Sequence, residues 1–134
     1  MSAERKGIYV DSSAIVRLVI AEPESKALRR YLARRQPLVS SALARTEVTR
    51  ALLPSGPEAV ARGDEALRRI QLLRVNDRVL NEAGRLEPAV LRSLDAIHLA
   101  SAAQLRPRLK QIVTYDEWMA AAAEAAGWSV ESPG

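Results

Sequence analysis

The stretch IYVDSSAIVRLV, residues 8–19, decides the class of fold that this chain adopts. Its first three residues are β-branched or aromatic and end at Asp11, and an apolar run over residues 14–20 follows at once. This order predicts a short strand that passes directly into a helix. Because strands that alternate with helices build parallel sheets, we expect an α/β protein.

The same alternation continues along the rest of the chain. Further strands are predicted at residues 37–39, 72–75, 112–114 and 128–130. Helices are predicted at residues 14–20, 23–35, 42–53, 58–70, 78–86, 94–105 and 117–126, and a loop at residues 54–57. Ser40 or Ser41, Asp77 and Ser93 are the predicted caps of the helices that follow them. Together these elements predict a three-layer α/β sandwich with a five-stranded parallel sheet and helices on both faces.

Composition bounds the class of protein. The chain has 134 residues, of which 48% are hydrophobic and 27% charged, so we expect one globular domain over residues 1–134. It contains no cysteine, which excludes disulfides and thiolate metal sites. We recognise no signal peptide or membrane-spanning run, and expect a soluble cytoplasmic protein. The net charge of +4 favours an anionic partner such as a nucleic acid.

Four carboxylates stand where such a fold binds ligands, near the carboxyl ends of its strands. Asp11 and Asp116 follow the first and fourth predicted strands, Glu47 lies in the helix after the second strand, and Asp95 lies in the first turn of a later helix. Clustered carboxylates repel one another, and a divalent cation relieves that repulsion. Ligation by oxygen alone suits magnesium or manganese. We therefore predict a metal site that serves phosphodiester hydrolysis.

Each acid also has a structural explanation that the sequence leaves open. Asp11 and Asp116 stand where helix N-caps are found, and Asp95 stands where the helix dipole favours an acid. Glu47 has no capping role, so its alternative is exposure to water or pairing with an arginine of its own helix.

Six other residues have expected supporting or structural roles. Ser12, Ser13 and Thr114 are predicted to hold a metal-bound water or to orient a carboxylate. His98, the only histidine, is expected to face away from the acids and to help its helix pack. Trp118, like Trp128, is expected to pack into the core.

Four stretches of the chain resemble the PIN-domain family, and more narrowly the VapC-type toxins of bacterial type II toxin-antitoxin systems. They are IYVDSSAIVRLV at residues 8–19, SSALARTEVTRAL at 40–52, LRSLDAIHLASA at 91–102 and IVTYDEWMAAAAEAAGWSV at 112–130. The stretches stand in the order of the family and together span nearly the whole chain.

This resemblance implies a flavodoxin-like fold and a magnesium- or manganese-dependent endoribonuclease. Its catalytic and metal-binding acids match Asp11, Glu47, Asp95 and Asp116, while Ser13 and Thr114 match residues that accompany them. Cellular RNA is then cut by a metal-activated water. The resemblance also implies a homodimer and a small antitoxin that inhibits the enzyme, with the helical pair around residues 54–57 as a candidate surface for either partner. Some relatives carry an acid where this chain has Trp118, so the number of metals stays open.

Two other enzyme classes on a similar sheet fit less well. A phosphoacceptor receiver domain needs an acidic pair after the first strand and a lysine after a late strand, whereas Lys110 precedes its strand. A haloacid-dehalogenase phosphatase needs a second aspartate at position 13, where this chain has Ser13. The remaining alternative is a non-catalytic PIN-like module that binds RNA or protein.

Overall fold

The computed structural model describes residues 6–134. Residues 1–5, which form part of the segment searched for a signal peptide, lie outside the described residues. The strands are β1 (Gly7–Val10), β2 (Leu38–Ser41), β3 (Gln71–Leu73), β4 (Leu109–Val113) and β5 (Val130–Glu131). The α-helices are α1 (Ser12–Val19), α2 (Ser25–Ala33), α3 (Ala44–Leu52), α4 (Pro57–Arg68), α5 (Asp77–Gly84), α6 (Ser93–Ala103) and α7 (Glu117–Ala125).

The five strands form one parallel sheet in the order β3-β2-β1-β4-β5, as the alternation of elements predicts. The central strand β1 pairs with β2 through Ile8 and Leu38, and with β4 through Tyr9 and Ile112. The chain therefore builds the sheet outward from β1 in one direction and then returns to add β4 and β5 on its other side. The point where this direction reverses lies between β1 and β4, and such a point is where parallel sheets bind ligands.

Helices cover both faces of the sheet. Side chains along β1 point alternately to the two faces, so each face presents buried side chains to the helices. Ile8 and Val10 pack with helices α1, α2, α3 and α4 into one buried cluster. Tyr9 points to the opposite face and packs with α6 and α7, while α5 packs against α6. Among residues 6–134, the helices include none with the length and apolar character required to cross a membrane.

Several local predictions differ from the structure at the ends of elements. Ser40 and Ser41, predicted as caps, lie in β2 because pairing with Leu72 and Leu73 extends that strand. Asn76, rather than Asp77, caps α5 by accepting a hydrogen bond from the Val79 backbone. A local cap pattern shows neither that Ser40 and Ser41 pair with another strand nor that the residue before Asp77 makes the capping hydrogen bond.

The other corrections concern a cap, a loop and two strands. Ser93 is the first residue of α6 instead of its cap. Within the predicted loop at residues 54–57, a short 3-10 helix (Leu53–Ser55) leads into α4, and Pro57 is the first helical residue. Strand β3 lies at Gln71–Leu73 instead of residues 72–75, and β5 at Val130–Glu131 instead of residues 128–130.

Gly63 lies inside α4 because the helix approaches α3 closely there. A Cβ atom added at Gly63 would stand 2.4 Å from Cδ1 of Leu52, which is completely buried. Gly84, at the end of α5, is exposed and would meet no atom within 4 Å. Close packing therefore requires glycine at position 63, whereas at position 84 glycine has only its ordinary cost in helix stability.

We expect Gly63→Ala to destabilise the protein by about 1 kcal/mol, because overpacking costs roughly 1–3 kcal/mol and improved helix propensity returns about 1 kcal/mol. The matched variant Gly84→Ala gains helix propensity without a clash, so we expect an equal or higher free energy of unfolding. Urea denaturation followed by circular dichroism measures both. A Gly63→Ala protein at least as stable as wild type would show that Leu52 moves aside freely.

Candidate active site

All four predicted acids line a single cavity of about 340 Å³. It lies where β1 and β4 end, at the point where the sheet changes direction. The residues that line it are Asp11, Ser12, Ser13, Glu47, Arg92, Ser93, Leu94, Asp95, His98 and Asp116. The fold therefore gathers four carboxylates that stand far apart in the sequence, as expected from their positions relative to the strands.

Asp11 is both a helix cap and the most buried of the four acids. Its Oδ1 accepts hydrogen bonds from the Ala14 backbone at 3.0 Å and from Ser13 Oγ at 2.6 Å. Its Oδ2 accepts one from Thr114 Oγ1 at 2.5 Å. Burial raises the pKa of Asp11, and the hydrogen bonds from Ser13 and Thr114 oppose that shift without cancelling it. The carboxylate is held in a position that disfavours its own charge.

Asp116 is linked to Asp11 through a shared hydroxyl. Thr114 Oγ1 accepts a hydrogen bond from the Asp116 backbone at 3.0 Å while it donates to Asp11. Asp116 Oδ1 caps α7 by accepting from the Met119 backbone, and Oδ2 lies 2.6 Å from Arg92 Nη2. The capping and site explanations of Asp11 and Asp116 are therefore compatible, because different atoms of each residue make the two sets of contacts.

Glu47 enters the cavity from α3. Its Oε1 accepts a hydrogen bond from Ser12 Oγ at 2.7 Å and contacts His98 Nε2 at 2.7 Å. Burial opposes the ionisation of Glu47, but the hydrogen bonds from His98 and Ser12 outweigh it and lower the pKa of this carboxyl. Its partners come from other elements of the fold, not from the arginines of its own helix.

Asp95 has the least compensated carboxylate. Among residues 6–134, its Oδ2 is one of two buried side-chain polar atoms without a hydrogen bond, the other being Ser40 Oγ. Arg92 Nε stands 3.4 Å from Oδ2, close enough for an ion pair but not aligned as a hydrogen bond. Burial raises the pKa of Asp95, and the neighbouring Asp116 carboxylate raises it further. Asp95 thus provides an oxygen that is available to a ligand.

The expectation that His98 faces away from the acids is wrong. The ring is buried, but it lines the cavity and contacts Glu47 through Nε2 and the Tyr9 hydroxyl through Nδ1. A signal for this was present in the sequence, because His98 lies three residues after Asp95 on the same helix and shares its side. The pattern also missed Arg92 as a contact of two of the acids.

Only one of the two tryptophans packs into the core. Trp128 is buried, with the Arg106 guanidinium 3.9 Å from its ring centroid. Trp118 is 67% exposed, so its predicted burial is wrong. It follows the first residue of α7 on the solvent side, whereas Met119, one position further, turns into the core.

The donor atoms in the cavity fit a hard divalent cation. The carboxylates and hydroxyls offer oxygen ligands, which magnesium and manganese prefer, and Asp95 Oδ2 has no hydrogen bond. Among residues 6–134, however, no group of three or more acidic or histidine side chains is already spaced to hold an ion. The carboxylates are instead engaged by Arg92, His98 and hydroxyl donors, so ion binding requires some of these side chains to rotate.

A larger cavity of about 600 Å³ lies away from the acids, between α1, α2 and α4. Apolar side chains and three arginines line most of it. It contains none of the four carboxylates, so it has no part in their chemistry.

The comparisons with known proteins agree with this fold. Residues 8–129 match the PIN domain family model. Ribonuclease VapC46 of Mycobacterium tuberculosis is 56% identical over 126 residues, which cover 94% of this chain and 97% of that protein. The chain therefore belongs to the PIN-domain family, within its VapC group.

Two solved structures share the fold at lower identity. The Mycobacterium tuberculosis toxin VapC20, which cleaves the sarcin-ricin loop, superposes with a TM-score of 0.75 at 19% identity and covers 95% of this chain and 100% of its own. A chain of a toxin-antitoxin complex from Klebsiella pneumoniae gives a TM-score of 0.70 at 22% identity, with 96% and 98% covered. At these identities the likeness concerns the fold alone.

We expect Asp95→Asn to raise the melting temperature of the protein in EDTA at pH 7. The pKa of Asp95 is raised in the folded state, so its ionised form opposes folding at pH values above that pKa. This cost disappears as the pH falls toward about 4, the ordinary value for aspartate. The difference between variant and wild type should therefore narrow as the pH falls.

Thermal melts from pH 7 to pH 4 measure this difference. Asp64→Asn, at an exposed position of α4, is the matched control and should leave the melting temperature unchanged. The expected destabilisation by the ionised Asp95 would be contradicted by an Asp95→Asn protein that melts below wild type at pH 7. A difference in melting temperature that does not change with pH would also contradict it.

Proposed function

We propose that this protein is a metal-dependent endoribonuclease toxin that cleaves cellular RNA. The observation that carries the proposal is the convergence of four carboxylates on one cavity, with a buried oxygen of Asp95 left without a hydrogen bond. The name of its 56% identical relative, a ribonuclease, supports the same activity. The raised pKa values of Asp11 and Asp95 show that their ionised forms cost stability, and a bound cation would offset that cost.

In this proposal Asp11, Glu47, Asp95 and Asp116 are the catalytic acids and hold one or two Mg²⁺ or Mn²⁺ ions. When bound, such an ion supplies an activated water and offsets negative charge on the leaving oxygen. The chain's own hydroxyls hold the carboxylates in place for the ion. Those of Ser13 and Thr114 each donate to one oxygen of Asp11, while that of Ser12 donates to Glu47.

The positive charge of the chain outside the four acids suits an RNA substrate. Outside the four acids, the chain has 20 basic residues against 12 acidic ones, a net charge of +8. Arg92 stands at the cavity with its side chain 69% exposed, where its guanidinium can bind a phosphate of the RNA. Hydrolysis by such a water would form a P–O bond and break the bond between phosphorus and the 3′ oxygen, which would take up a proton, so the products would be a 3′-hydroxyl and a 5′-phosphate. No side chain forms a covalent intermediate.

We expect the purified protein to cut total cellular RNA in Mg²⁺ or Mn²⁺ and not in excess EDTA. Asp95→Asn should slow cutting by about a hundredfold or more, because it removes a charged ligand from the reacting centre. Asp64→Asn should cut at the wild-type rate. Sequencing the new ends identifies both the chemistry and the target.

The possible results separate the candidate functions. Cutting that survives EDTA or the Asp95→Asn substitution would contradict the metal mechanism. A protein that binds RNA equally well with and without the substitution, and never cuts it, would be the non-catalytic PIN-like module instead. Growth arrest on expression, lost in Asp95→Asn, would connect cleavage with toxicity in cells.

The partner that restrains this activity is proposed to be a small cognate antitoxin. The solved toxin-antitoxin complex from Klebsiella pneumoniae contains a chain of the same fold. The cavity between α1, α2 and α4 offers an apolar floor that includes Leu18, Leu32 and Ile70, with Arg29, Arg62 and Arg69 at its sides. These features suit an amphipathic segment with acidic residues.

A substitution in this cavity tests the docking surface. Ala66 lines the cavity on α4, and Ala61 lies on the exposed side of the same helix, outside it. We expect Ala66→Arg to weaken binding of the cognate antitoxin at least about tenfold, since a bulky charge then enters an apolar site. Ala61→Arg should bind as wild type, and both should cut RNA normally. Equal binding by Ala66→Arg would exclude this cavity.

The proposed homodimer has a separate candidate surface. Val90, Leu94 and Trp118 are large apolar residues that remain 75%, 47% and 67% exposed; Val90 and Trp118 line one surface groove, and Leu94 lines the carboxylate cavity. Exposed apolar clusters of this kind are typical of protein interfaces. Because the proposed substrate is cellular RNA, the proposed site of action is the cytoplasm.

A further inference from the structure

His98 joins three elements of the fold in one buried chain of hydrogen bonds. Its Nδ1 stands 2.8 Å from the Tyr9 hydroxyl of β1, and its Nε2 stands 2.7 Å from Glu47 Oε1 of α3. Tyr9 and His98 are almost completely inaccessible to solvent, at 0% and 2% exposure. Water cannot replace either contact easily, so the chain of hydrogen bonds determines where each proton lies.

The geometry assigns the imidazole proton to Nε2. Burial raises the pKa of Tyr9 well above its ordinary value, so the phenol keeps its proton. This hydroxyl lies 2.8 Å from His98 Nδ1 and can donate to it, while the Glu47 carboxylate, whose pKa is lowered, accepts from Nε2. A neutral imidazole with an accepting Nδ1 carries its proton on Nε2 and donates it to Glu47.

His98 connects Glu47 to the elements that carry Asp11 and Asp95. Tyr9 precedes Asp11 by two residues on the central strand, and Asp95 precedes His98 by three residues, one turn, on α6. His98 and Ser12 both contact Oε1 of Glu47, so Oε2 remains for a ligand. A side chain of three rotatable bonds is thereby held in one orientation relative to Asp11 and Asp95.

We propose that His98, with its tautomer set by Tyr9, is a positioning residue that orients Glu47 for the divalent cation. The proposal rests on the proposed function, since it concerns the same site. Histidine hydrogen bonds of this type commonly orient metal ligands, and losing such a partner reduces metal affinity by about 10- to 100-fold. His98 itself contacts neither the cation nor the RNA in this assignment.

The tautomer can be observed directly because His98 is the only histidine. Long-range ¹H–¹⁵N correlation spectra of the uniformly ¹⁵N-labelled protein in EDTA distinguish a protonated Nε2 from a protonated Nδ1 without overlap from other imidazoles. We expect a proton on Nε2 and an accepting Nδ1. A ring whose Nδ1 carries a proton would overturn the assignment.

Metal affinity tests the positioning role without any cleavage assay. Free Mn²⁺ is measured by electron paramagnetic resonance during titration of the metal-free protein. We expect the double variant Tyr9→Phe/His98→Leu to bind Mn²⁺ at least about tenfold more weakly, because Glu47 loses one of its two donors. Removing both ends of the Tyr9–His98 hydrogen bond avoids an unpaired buried group, so the double variant should remain folded.

The matched variant is His98→Gln, whose side-chain amide replaces the donor at Nε2. We expect its Mn²⁺ affinity to lie within about threefold of wild type, which a merely space-filling role for His98 would not require. Wild-type affinity in the folded double variant would overturn the positioning role. If the double variant does not fold, failure of His98→Gln to retain affinity overturns it. Wild-type protein that binds no Mn²⁺ would instead overturn the metal site itself, and this role with it.

Discussion

The burial of Asp11 at the end of the central strand is the constraint on which the site depends. A carboxylate that is 4% exposed requires hydrogen bonds to nearly every lone pair, and the structure supplies them from α1 and from the residue that follows β4. Thr114 can donate to Asp11 only if β1 and β4 are neighbours in register. Burying this acid therefore links the order of the strands to the geometry of the cavity.

From Asp11 the network extends through hydroxyl groups to the other acids. Thr114 connects it to the Asp116 backbone, and Ser13 accepts a hydrogen bond from the Tyr115 backbone while donating to Asp11. These short side chains hold the carboxylates at fixed positions. The ionised carboxylates are then only partly compensated, which lowers the stability of the fold. The raised pKa values of Asp11 and Asp95 express this cost, which is the usual trade between the stability of a protein and its activity.

The negative charge of Asp95 and Asp116 can be offset either by Arg92 or by a cation. The guanidinium contacts Asp116 at 2.6 Å and approaches Asp95 at 3.4 Å, so it offsets part of their charge. Its side chain is largely exposed, and ion pairs of that kind contribute little free energy. In the proposed function, a divalent cation held by these acids would displace only this weak interaction, and Arg92 would then be available for a phosphate group.

The sequence by itself determined the alternation of strands and helices and the positions of the acids relative to them. These features repeat within short windows: side chains alternate along a strand, and an aspartate directly after a strand stands at the edge of a parallel sheet. Asp11, Asp95 and Asp116 were therefore placed correctly at one cavity from local pattern, and Glu47 from its unusual position on an apolar stripe.

Only the tertiary structure decided the partners of each side chain. The helical spacing places His98 on the side of Asp95, but its partners are a tyrosine 89 residues earlier in the chain and a glutamate 51 residues earlier, which no local periodicity reveals. Trp118 and Trp128 look equivalent in composition, yet the rotation of α7 exposes one and the end of the sheet buries the other. Hydrogen bonds and burial act over distances of a few ångströms in space, and those distances exist only once the sheet has formed.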